Sequence, residues 1–521
     1  MNPRAGAVRP YMKGTRAFAM GLLLTAASAS GEVTRGPYTQ SVDQDSAVIG
    51  LRLDAPCPAL VRYGEGDALD SIARSAGSAT QHFIELDGLK AGTEYHFSVE
   101  ACDTPTGESG SFRTASDPGE VRVHFAAVGD MGTGGAEQRA IGQAMATSRP
   151  EFWLALGDNA SPDGTDAEFG SNFFTPLADL LRISPVFTVP GNLEYHSDEA
   201  QPYLEAFELP RNNPGGTERY YSFDWGPLHV VALDSNGPLQ EQKAWLETDL
   251  AASKAPWKLV MVHYPPYSTG SDGSSTRLRE LGPFFEKYGV DLVLSAHDHD
   301  YERTKPLVRD QPVAPGTPGA VTYIVVGTGG AGLRDWGAEA ANWTEVRDNA
   351  EFGYLDIQID GGALVAQFVT PEGEILDTFT KDKKVPEAPE LSMNIEPAAG
   401  TAPLQSHFKL SGNDGAMIAW SFGDGGNQLG TDAEVTHTYQ QPGVYTATAV
   451  VQDILGEPYY ATRSVTVMDA EGNPGPVVQP PPPVEPPGAS PAGKIGCTSA
   501  GLGLLGFPLA MFLLAIIRRQ P

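Results

Sequence analysis

Five short segments in the middle of this 521-residue chain each follow an apolar run, and each contains Asp, Asn or His. In chain order they are Gly129-Asp130-Met131-Gly132, Gly157-Asp158-Asn159, Gly191-Asn192, Val260-Met261-Val262-His263 and His297-Asp298-His299. Taken alone, a Gly-Asp turn or a histidine after a strand indicates only a turn or a core residue. Apolar runs alternate with helical stretches over residues 120–385, which predicts an α/β domain of mixed sheets flanked by helices. In such domains the ligand-binding site lies at the sheet edge where the strands end.

The side chains at that edge suggest that the domain binds metal ions. Carboxylates and imidazoles together suit borderline metals such as Zn, Mn and Fe. One carboxylate can bridge two ions about 3.5–4 Å apart, a separation that clamps a phosphoryl group. His297 and His299 can serve two ions if the strand before them has just ended in a loop. The sequence therefore predicts one two-metal cluster of Asp130, Asp158, Asn192, His263, His297 and His299.

With Tyr301-Glu302-Arg303 closing the last segment, these motifs resemble the calcineurin-like metallophosphoesterases, and within them the purple acid phosphatases. The resemblance covers about residues 32–380. It implies two divalent or trivalent ions (Fe, Zn or Mn) and attack on phosphorus by a metal-bound hydroxide, with Asp158, Asn192 and His263 as catalytic residues. It further implies that Asp130, Asp158 and His299 hold the first ion. Asp158, Asn192, His263 and His297 would hold the second, with Asp158 as the bridge.

The chain departs from that family at three positions. Ser161 stands where the family has the tyrosine that binds ferric iron and gives the purple colour. Leu193 stands where a histidine follows the Gly-Asn pair, and Asp272 where a substrate-facing histidine is expected. Leucine cannot protonate a leaving group, and losing a general acid costs about 10²–10⁴ in rate. His196 could reach the site from the next turn, or it could be exposed and neutral to function.

Residues 32–115 form short alternating strands, which predicts a β-sandwich. The segment from Leu89 to Tyr95 resembles the turn and tyrosine corner of a fibronectin type III-like domain. On that resemblance Cys57 opens the third strand and Cys102 closes the sixth, its antiparallel neighbour. An oxidising compartment would then permit a disulfide between the two cysteines.

Residues 387–469 return to strand patterning. Trp420-Ser421-Phe422-Gly423-Asp424-Gly425, His437-Thr438-Tyr439 and Pro442-Gly443-Val444-Tyr445 are similar in order and spacing to PKD domains, which are small extracellular β-sandwiches. Such a domain could contact surface polymers or proteins, with Asp424 and His437 as turn and core residues. Residues 470–494 are Pro-rich and should form an extended, semi-rigid linker.

Both termini resemble targeting signals. Residues 1–29 combine a basic start, an apolar run and an Ala-x-Ala site, which predicts a signal peptide rather than an amphipathic helix. Residues 495–521 contain an uncharged run long enough to span a bilayer, followed by Arg518-Arg519, which would stay in the cytoplasm. Cys497 with this helix and the arginine pair resembles a MYXO-CTERM sorting tail, which implies processing or lipid attachment at Cys497. A simple membrane anchor with an incidental cysteine is the alternative.

The charge balance limits the choice of partners. The 35 Lys and Arg residues against 65 Asp and Glu residues give a net charge of −30, which argues against a nucleic-acid-binding surface. An anionic phosphate ester would be repelled at long range, so local positive charge is needed. We therefore expect an exported, surface-anchored phosphoesterase, with release after processing as a further option. The alternative is a catalytically impaired phosphoesterase fold that acts as a surface binding protein.

Overall fold

The computed structural model describes most of the chain between the two predicted targeting signals. The expected signal peptide, Cys497 and the C-terminal tail lie outside the described residues, as does most of the Pro-rich linker. None of the helices in the described part is both long and apolar enough to cross a membrane. The described residues are 31–66, 68–383, 391–413, 417–452 and 458–478.

The N-terminal domain consists of seven strands in two sheets, as the alternating sequence predicted. Its core is formed by the inward-facing apolar residues, among them Ile49, Val61 and Phe97. The Lys90 amide N–H donates to Tyr95 Oη at 3.0 Å, which links the turn to the strand that follows. The three-stranded sheet contains Val33–Gln40, Ser46–Cys57 and Ala79–Asp87, and the four-stranded sheet contains Ser71–Arg74, Ala59–Glu65, Glu94–Ala101 and Thr104–Arg113.

Cys57 and Cys102 form a disulfide with a Cα–Cα distance of 5.3 Å, so the predicted pairing is confirmed. The predicted strand positions of the two cysteines were wrong. Cys57 is the last residue of Ser46–Cys57, and Cys102 follows the end of Glu94–Ala101. The strand that opens just after Cys57 pairs with Glu94–Ala101, with Ala59 opposite Ala101. This pairing brings both cysteines to the same end of the sandwich.

The central domain consists of two mixed sheets that pack face to face between helices. One sheet, in spatial order, contains Val186–Thr188, Phe152–Ala155, Arg122–Val128, Tyr354–Asp360, Ala363–Val369 and Ile375–Asp382. The other contains Tyr221–Trp225, Leu228–Leu233, Trp257–Val262, Leu292–Ser295, Thr322–Val326, Tyr301–Thr304 and Thr344–Asp348. The α-helices are Ala136–Ser148, Asp166–Glu168, Ala178–Leu181, Gln201–Ala206, Leu239–Ala252, Thr276–Arg279 and Gly282–Tyr288. One π-helical turn, Phe169–Phe174, and two 3₁₀ turns, Glu194–His196 and Asp198–Ala200, complete the helical segments in the described part of this domain. A small hairpin pairs Leu307–Val308 with Gln311–Pro312.

Parallel pairing in both sheets explains the position of the site. Arg122–Val128 pairs in parallel with Phe152–Ala155, which pairs in parallel with Val186–Thr188. In the second sheet, Trp257–Val262 pairs in parallel with Leu292–Ser295. The carboxyl ends of parallel neighbours lie at the same edge of a sheet, so the residues that follow these strands can converge.

The first strand of the chain packs against the central domain. The Arg35 guanidinium binds Asp166 Oδ1 at 2.9 Å, and Arg52 binds the other oxygen of the same carboxylate at 2.5 Å. Tyr38 Oη donates to the Ala206 carbonyl at 2.7 Å, and its ring centroid lies 4.5 Å from that of Phe174. The N-terminal sandwich is therefore joined to the central domain by buried polar and aromatic contacts.

The C-terminal sandwich has a core of its own around Trp420, Phe408 and Tyr439. His437 Nε2 lies 2.8 Å from Asp424 Oδ2, and the imidazole stacks on Phe422 at 4.2 Å between centroids. Both residues are thus used within the fold, as predicted. The sheets contain Ser392–Glu396, Leu404–Ser411 and Glu434–Tyr439, and Ala399–Thr401, Pro458–Met468, Gly443–Gln452, Ile418–Ser421 and Asn427–Gly430.

Candidate metal centre

The candidate ligands follow strands directly, and three of them adopt an uncommon backbone conformation. Asp130, Asp158 and His297 have φ values of 56°, 51° and 71°. Non-glycine residues in this left-handed region cluster at functional sites, because the surrounding structure must hold them there. His297 follows the end of Leu292–Ser295, so the His-x-His pair lies in a loop, as the two-ion hypothesis required.

Asp158, Asn192 and His263 form one half of the cluster. His263 Nε2 lies 3.1 Å from Asn192 Oδ1 and 3.4 Å from Asp158 Oδ1. One potential ligand atom from each of Asp158, His263 and His297 lies within 4.8 Å of the other two. Gly191 is needed for this approach, because a Cβ atom there would lie 2.1 Å from Asp158 Oδ1.

Asp130 and His299 form the other half. His299 Nε2 lies 3.6 Å from Asp130 Oδ1. The His297 amide N–H donates to Asp130 Oδ2 at 2.8 Å, which ties this half to the first. The rings of His263 and His297 are 5.1 Å apart between centroids. All six residues predicted from the sequence are therefore linked through short contacts. They come from strand ends of both central sheets, rather than from the single sheet edge that the sequence had predicted.

The donor atoms of the cluster fit metal ions. His263 Nδ1 lies 2.9 Å from the Leu156 carbonyl, and His299 Nδ1 lies 2.9 Å from the Gly332 carbonyl. A carbonyl only accepts, so each Nδ1 carries a proton and each ring directs its Nε2 at the cluster, the atom that binds a metal once it is deprotonated. Asp130 Oδ1 is buried and has no hydrogen-bond partner within the described structure. Carboxylate and imidazole ligand atoms that converge in this way form a site that fits metal cations.

The electrostatics of the cluster follow from its burial. Burial raises the pKa of Asp130 well above its usual value, and the neighbouring Asp158 adds to this. Burial also acts to raise the pKa of Asp158, but His263, the Leu193 N–H and His297 together outweigh it, so that the pKa of Asp158 is lowered. Burial and then His263 lower the pKa of His297 to about 4. A neutral His297 imidazole is the form that binds metals.

Glu194 organises the loops that carry Asp158 and Asn192. Its carboxylate is fully buried and accepts four backbone N–H groups. Oε1 accepts from Asn159 at 2.8 Å and Ala160 at 3.1 Å, and Oε2 accepts from Asp158 at 3.1 Å and Gly191 at 2.6 Å. Sequence reasoning missed this residue, although an acidic residue directly after an Asn-Leu pair of a predicted site was a usable signal.

The remaining sequence predictions have mixed outcomes. Asp272 reaches the cluster, since its Oδ2 lies 3.9 Å from His297 Nε2. Leu193 donates its backbone N–H to Asp158 Oδ1 at 3.0 Å but has no proton to offer from its side chain. Ser161 is held through its backbone by Gly132 and Asn172. His196 has a 51% exposed side chain that faces Asp163 at 3.5 Å, which supports the alternative of an exposed residue.

Two further residues at the site were not predicted. The Tyr264 ring lies edge-on to His297, 4.4 Å between centroids. Arg334 donates its backbone N–H to the His299 carbonyl at 3.2 Å and forms an ion pair with Asp272. The signal for Arg334 was the glycine-rich run Gly327-Thr328-Gly329-Gly330 after the strand Thr322–Val326, which lets the chain pass close to the ligand loops.

Comparisons with known proteins agree with this geometry. Residues 123–301 match the family model described as calcineurin-like phosphoesterase, and residues 320–378 match iron/zinc purple acid phosphatase-like protein C. The central domain is a calcineurin-like metallophosphoesterase. Residues 385–468 match the PKD domain model, so the PKD resemblance is confirmed. The fibronectin type III label of the N-terminal sandwich stays a prediction.

Relatives of the phosphoesterase domain are named phosphatases. The human acid phosphatase type 7 is 27% identical over 324 residues, 54% of this chain and 71% of that protein. Purple acid phosphatase 18 of Arabidopsis thaliana is 24% identical and covers 61% of this chain and 76% of its own length. Purple acid phosphatase PPD1 from yellow lupin shares the fold with a TM-score of 0.59 at 17% identity, covering 68% of this chain and 74% of its own. Proteins of this type use a dinuclear Fe, Zn or Mn centre.

Proposed function

We propose that this chain is a surface-anchored phosphoesterase that hydrolyses phosphate esters at a two-metal centre. The observation that carries the proposal is the cluster of Asp158, His263 and His297, whose ligand atoms approach within 4.8 Å of one another. Asp130 and His299 lie beside it as a second pair, 3.6 Å apart. The named phosphatases among its relatives support the same reaction class.

Each side chain has a task in this proposal. The two ions, when bound, activate water and offset the charge that develops on the phosphoryl oxygens. Asp158 would hold both ions, as the resemblance implies, and the other ligands would hold one each. The carbonyls behind His263 and His299 fix the orientation of both rings, so that each Nε2 faces the candidate ligand cluster. Leu193 supplies no acid, so esters with stable leaving groups should be the better substrates.

The cellular location is part of the proposal and rests on the targeting signals alone. The N-terminal basic and apolar pattern supports export, and residues 495–521 support an anchor in the membrane. In that arrangement the Pro-rich segment would separate the PKD domain from the membrane, and the PKD domain would be free to contact surface polymers or proteins.

Metal analysis combined with turnover of an aryl phosphate tests the proposal. We expect about two ions per purified full-length chain, and turnover that a chelator abolishes. His263→Ala should lower turnover by more than about 100-fold, because even the loss of an outer-shell partner costs about 10–100-fold. His196→Ala is the matched control, since His196 is exposed. Stoichiometric metal without turnover would refute the enzyme and favour the alternative of a binding protein.

A further inference from the structure

The guanidinium group of Arg334 lies on the solvent-exposed side of the candidate metal cluster. Arg334 Nη1 forms an ion pair with Asp272 Oδ2, and that same oxygen lies 3.9 Å from His297 Nε2. The side chains of Arg334 and Asp272 are 39% and 45% exposed, so the pair is open to solvent. A ligand that enters from solvent would thus meet Arg334 beside the candidate metal ligands.

Arg334 is held close to the cluster by its backbone. Its N–H donates to the His299 carbonyl at 3.2 Å, and its own carbonyl accepts from Asn349 Nδ2 at 2.8 Å. Two residues earlier, the Gly332 carbonyl lies 2.9 Å from His299 Nδ1. The segment that carries Arg334 is therefore attached to the backbone and the ring of one candidate ligand.

Asp272 is fixed from the opposite side. Its backbone N–H donates to Asp298 Oδ1 at 2.7 Å, and the Gly273 N–H donates to Asp298 Oδ2 at 3.0 Å. Asp298 is fully buried and also accepts a hydrogen bond from Ser268. An anchored carboxylate of this kind can hold the flexible arginine side chain in one orientation.

We infer that Arg334 binds the non-bridging oxygens of the substrate phosphoryl group, and that Asp272 positions its guanidinium. This deepens the proposed function and rests on it. Arginine presents five N–H donors in a planar fork that matches phosphate, and the ion pair with Asp272 involves only one of its nitrogen atoms. A chain with net charge −30 needs local positive charge to hold an anion, and Arg334 supplies it beside His297 and His299.

The test compares Arg334→Ala, Arg334→Lys and Asp272→Asn in the metal-loaded full chain. The readouts are KM and kcat for an aryl phosphate, the inhibition constant of inorganic phosphate, and phosphate binding by calorimetry. Arg334→Ala removes a charge-assisted hydrogen bond to phosphate, so KM and both phosphate constants should rise by about 10–100-fold, with a smaller change in kcat. Lysine should recover only part of this, because it lacks the fork.

The Asp272→Asn variant tests whether Arg334 binds phosphate or only forms a structural ion pair with Asp272. It removes the positioning carboxylate but keeps the guanidinium, so its phosphate constants should rise less than those of Arg334→Ala but more than those of the control. Arg122→Ala is the control, since Arg122 forms an exposed pair with Asp360 at 3.4 Å elsewhere in the domain. Equal phosphate constants in Arg334→Ala and the unaltered active chain would overturn the inference. Equal losses in Arg334→Ala and Asp272→Asn would also overturn it. Absence of turnover in the unaltered chain would instead refute the proposed function.

Discussion

Replacing Glu194 with glutamine should destabilise the metal centre without touching a ligand. The carboxylate accepts four backbone N–H groups, two on each oxygen, from Asp158, Asn159, Ala160 and Gly191. Burial, and then the charge of Asp158, raise the pKa of Glu194 to about 7, whereas the Gly191 N–H acts against this. Four donors leave no acceptor for a carboxyl proton, so the ionised form fits the site.

The size of the effect follows from the hydrogen bonds. In Glu194→Gln one oxygen becomes an NH₂ group, which cannot accept, so two backbone N–H groups lose their partner. A buried unpaired donor costs about 1–3 kcal/mol, so the loss is about 2–6 kcal/mol. This is a large share of a typical free energy of unfolding of about 5–15 kcal/mol. At about 2–4 °C per kcal/mol, the melting temperature should fall by about 10 °C.

Thermal unfolding and metal content are the two measurements. The variant should also retain less metal, because the displaced N–H groups belong to the loops that present Asp158 and Asn192. Glu205→Gln is the matched control, since Glu205 is exposed and bonds only Gln201 at 3.0 Å within the described contacts. Its melting temperature should stay within about 2 °C of the unaltered chain, as surface substitutions change stability by at most about 0.5 kcal/mol. Equal melting temperatures and metal contents for both variants would refute the reasoning.

Three further predictions concern leaving groups, colour and pH. Leu193→His should raise the rate on alkyl phosphates more than on aryl phosphates, as steady-state kinetics would show; equal gains would mean that another residue donates the proton. With Ser161 where the family has a tyrosinate, the iron-loaded chain should lack a strong visible absorption band, and a band would show that Ser161 is misaligned. Burial acts to lower the pKa of His229, but Asp224 and Asp249 raise it from 6.5 to about 9. The resulting stabilisation, about 3 kcal/mol, is therefore present below pH 6.5 and lost as the pH rises through 9. His229→Leu should flatten the dependence of the free energy of unfolding on pH in that window, and an unchanged slope would contradict the assignment.

The ligand cluster could be predicted because each ligand is part of a local pattern. An apolar run followed at once by Asp130, Asp158 or His263 indicates both the strand and the residue at its end. Parallel pairing places Asp130, Asp158 and Asn192 at the edge of one sheet and His263 and His297 at the edge of the other, and the packing of the two sheets brings these edges together. The disulfide was predicted from the resemblance to a fibronectin type III-like sandwich, in which the strands next to Cys57 and Cys102 are antiparallel neighbours, and the structure pairs Ala59 with Ala101 in this way.

Some elements of the fold escaped the same reasoning. The strand Leu228–Leu233 is buried along its whole length and shows no alternation, so it carries no period-two signal. The segment of residues 276–288 forms two helices, Thr276–Arg279 and Gly282–Tyr288. Pro283 lies in the first turn of the second helix, and a proline there interrupts the helical hydrogen bonds of the preceding turn.

Sequence reasoning missed three residues of the site for a different reason: Glu194, Tyr264 and Arg334. Their roles depend on contacts between distant segments: Arg334 and Asp272 are 62 residues apart in sequence. The glycine-rich run before Arg334 indicates a close approach of the chain, but it does not show that the arginine side chain faces a metal site. The charge balance of the whole chain did indicate that such a group was needed, because a net charge of −30 repels a phosphate ester unless positive charge is concentrated where it binds. Metal ions would supply part of that positive charge. The Arg334 guanidinium is paired with Asp272, which stands where a substrate-facing family histidine is expected, and it can supply the rest.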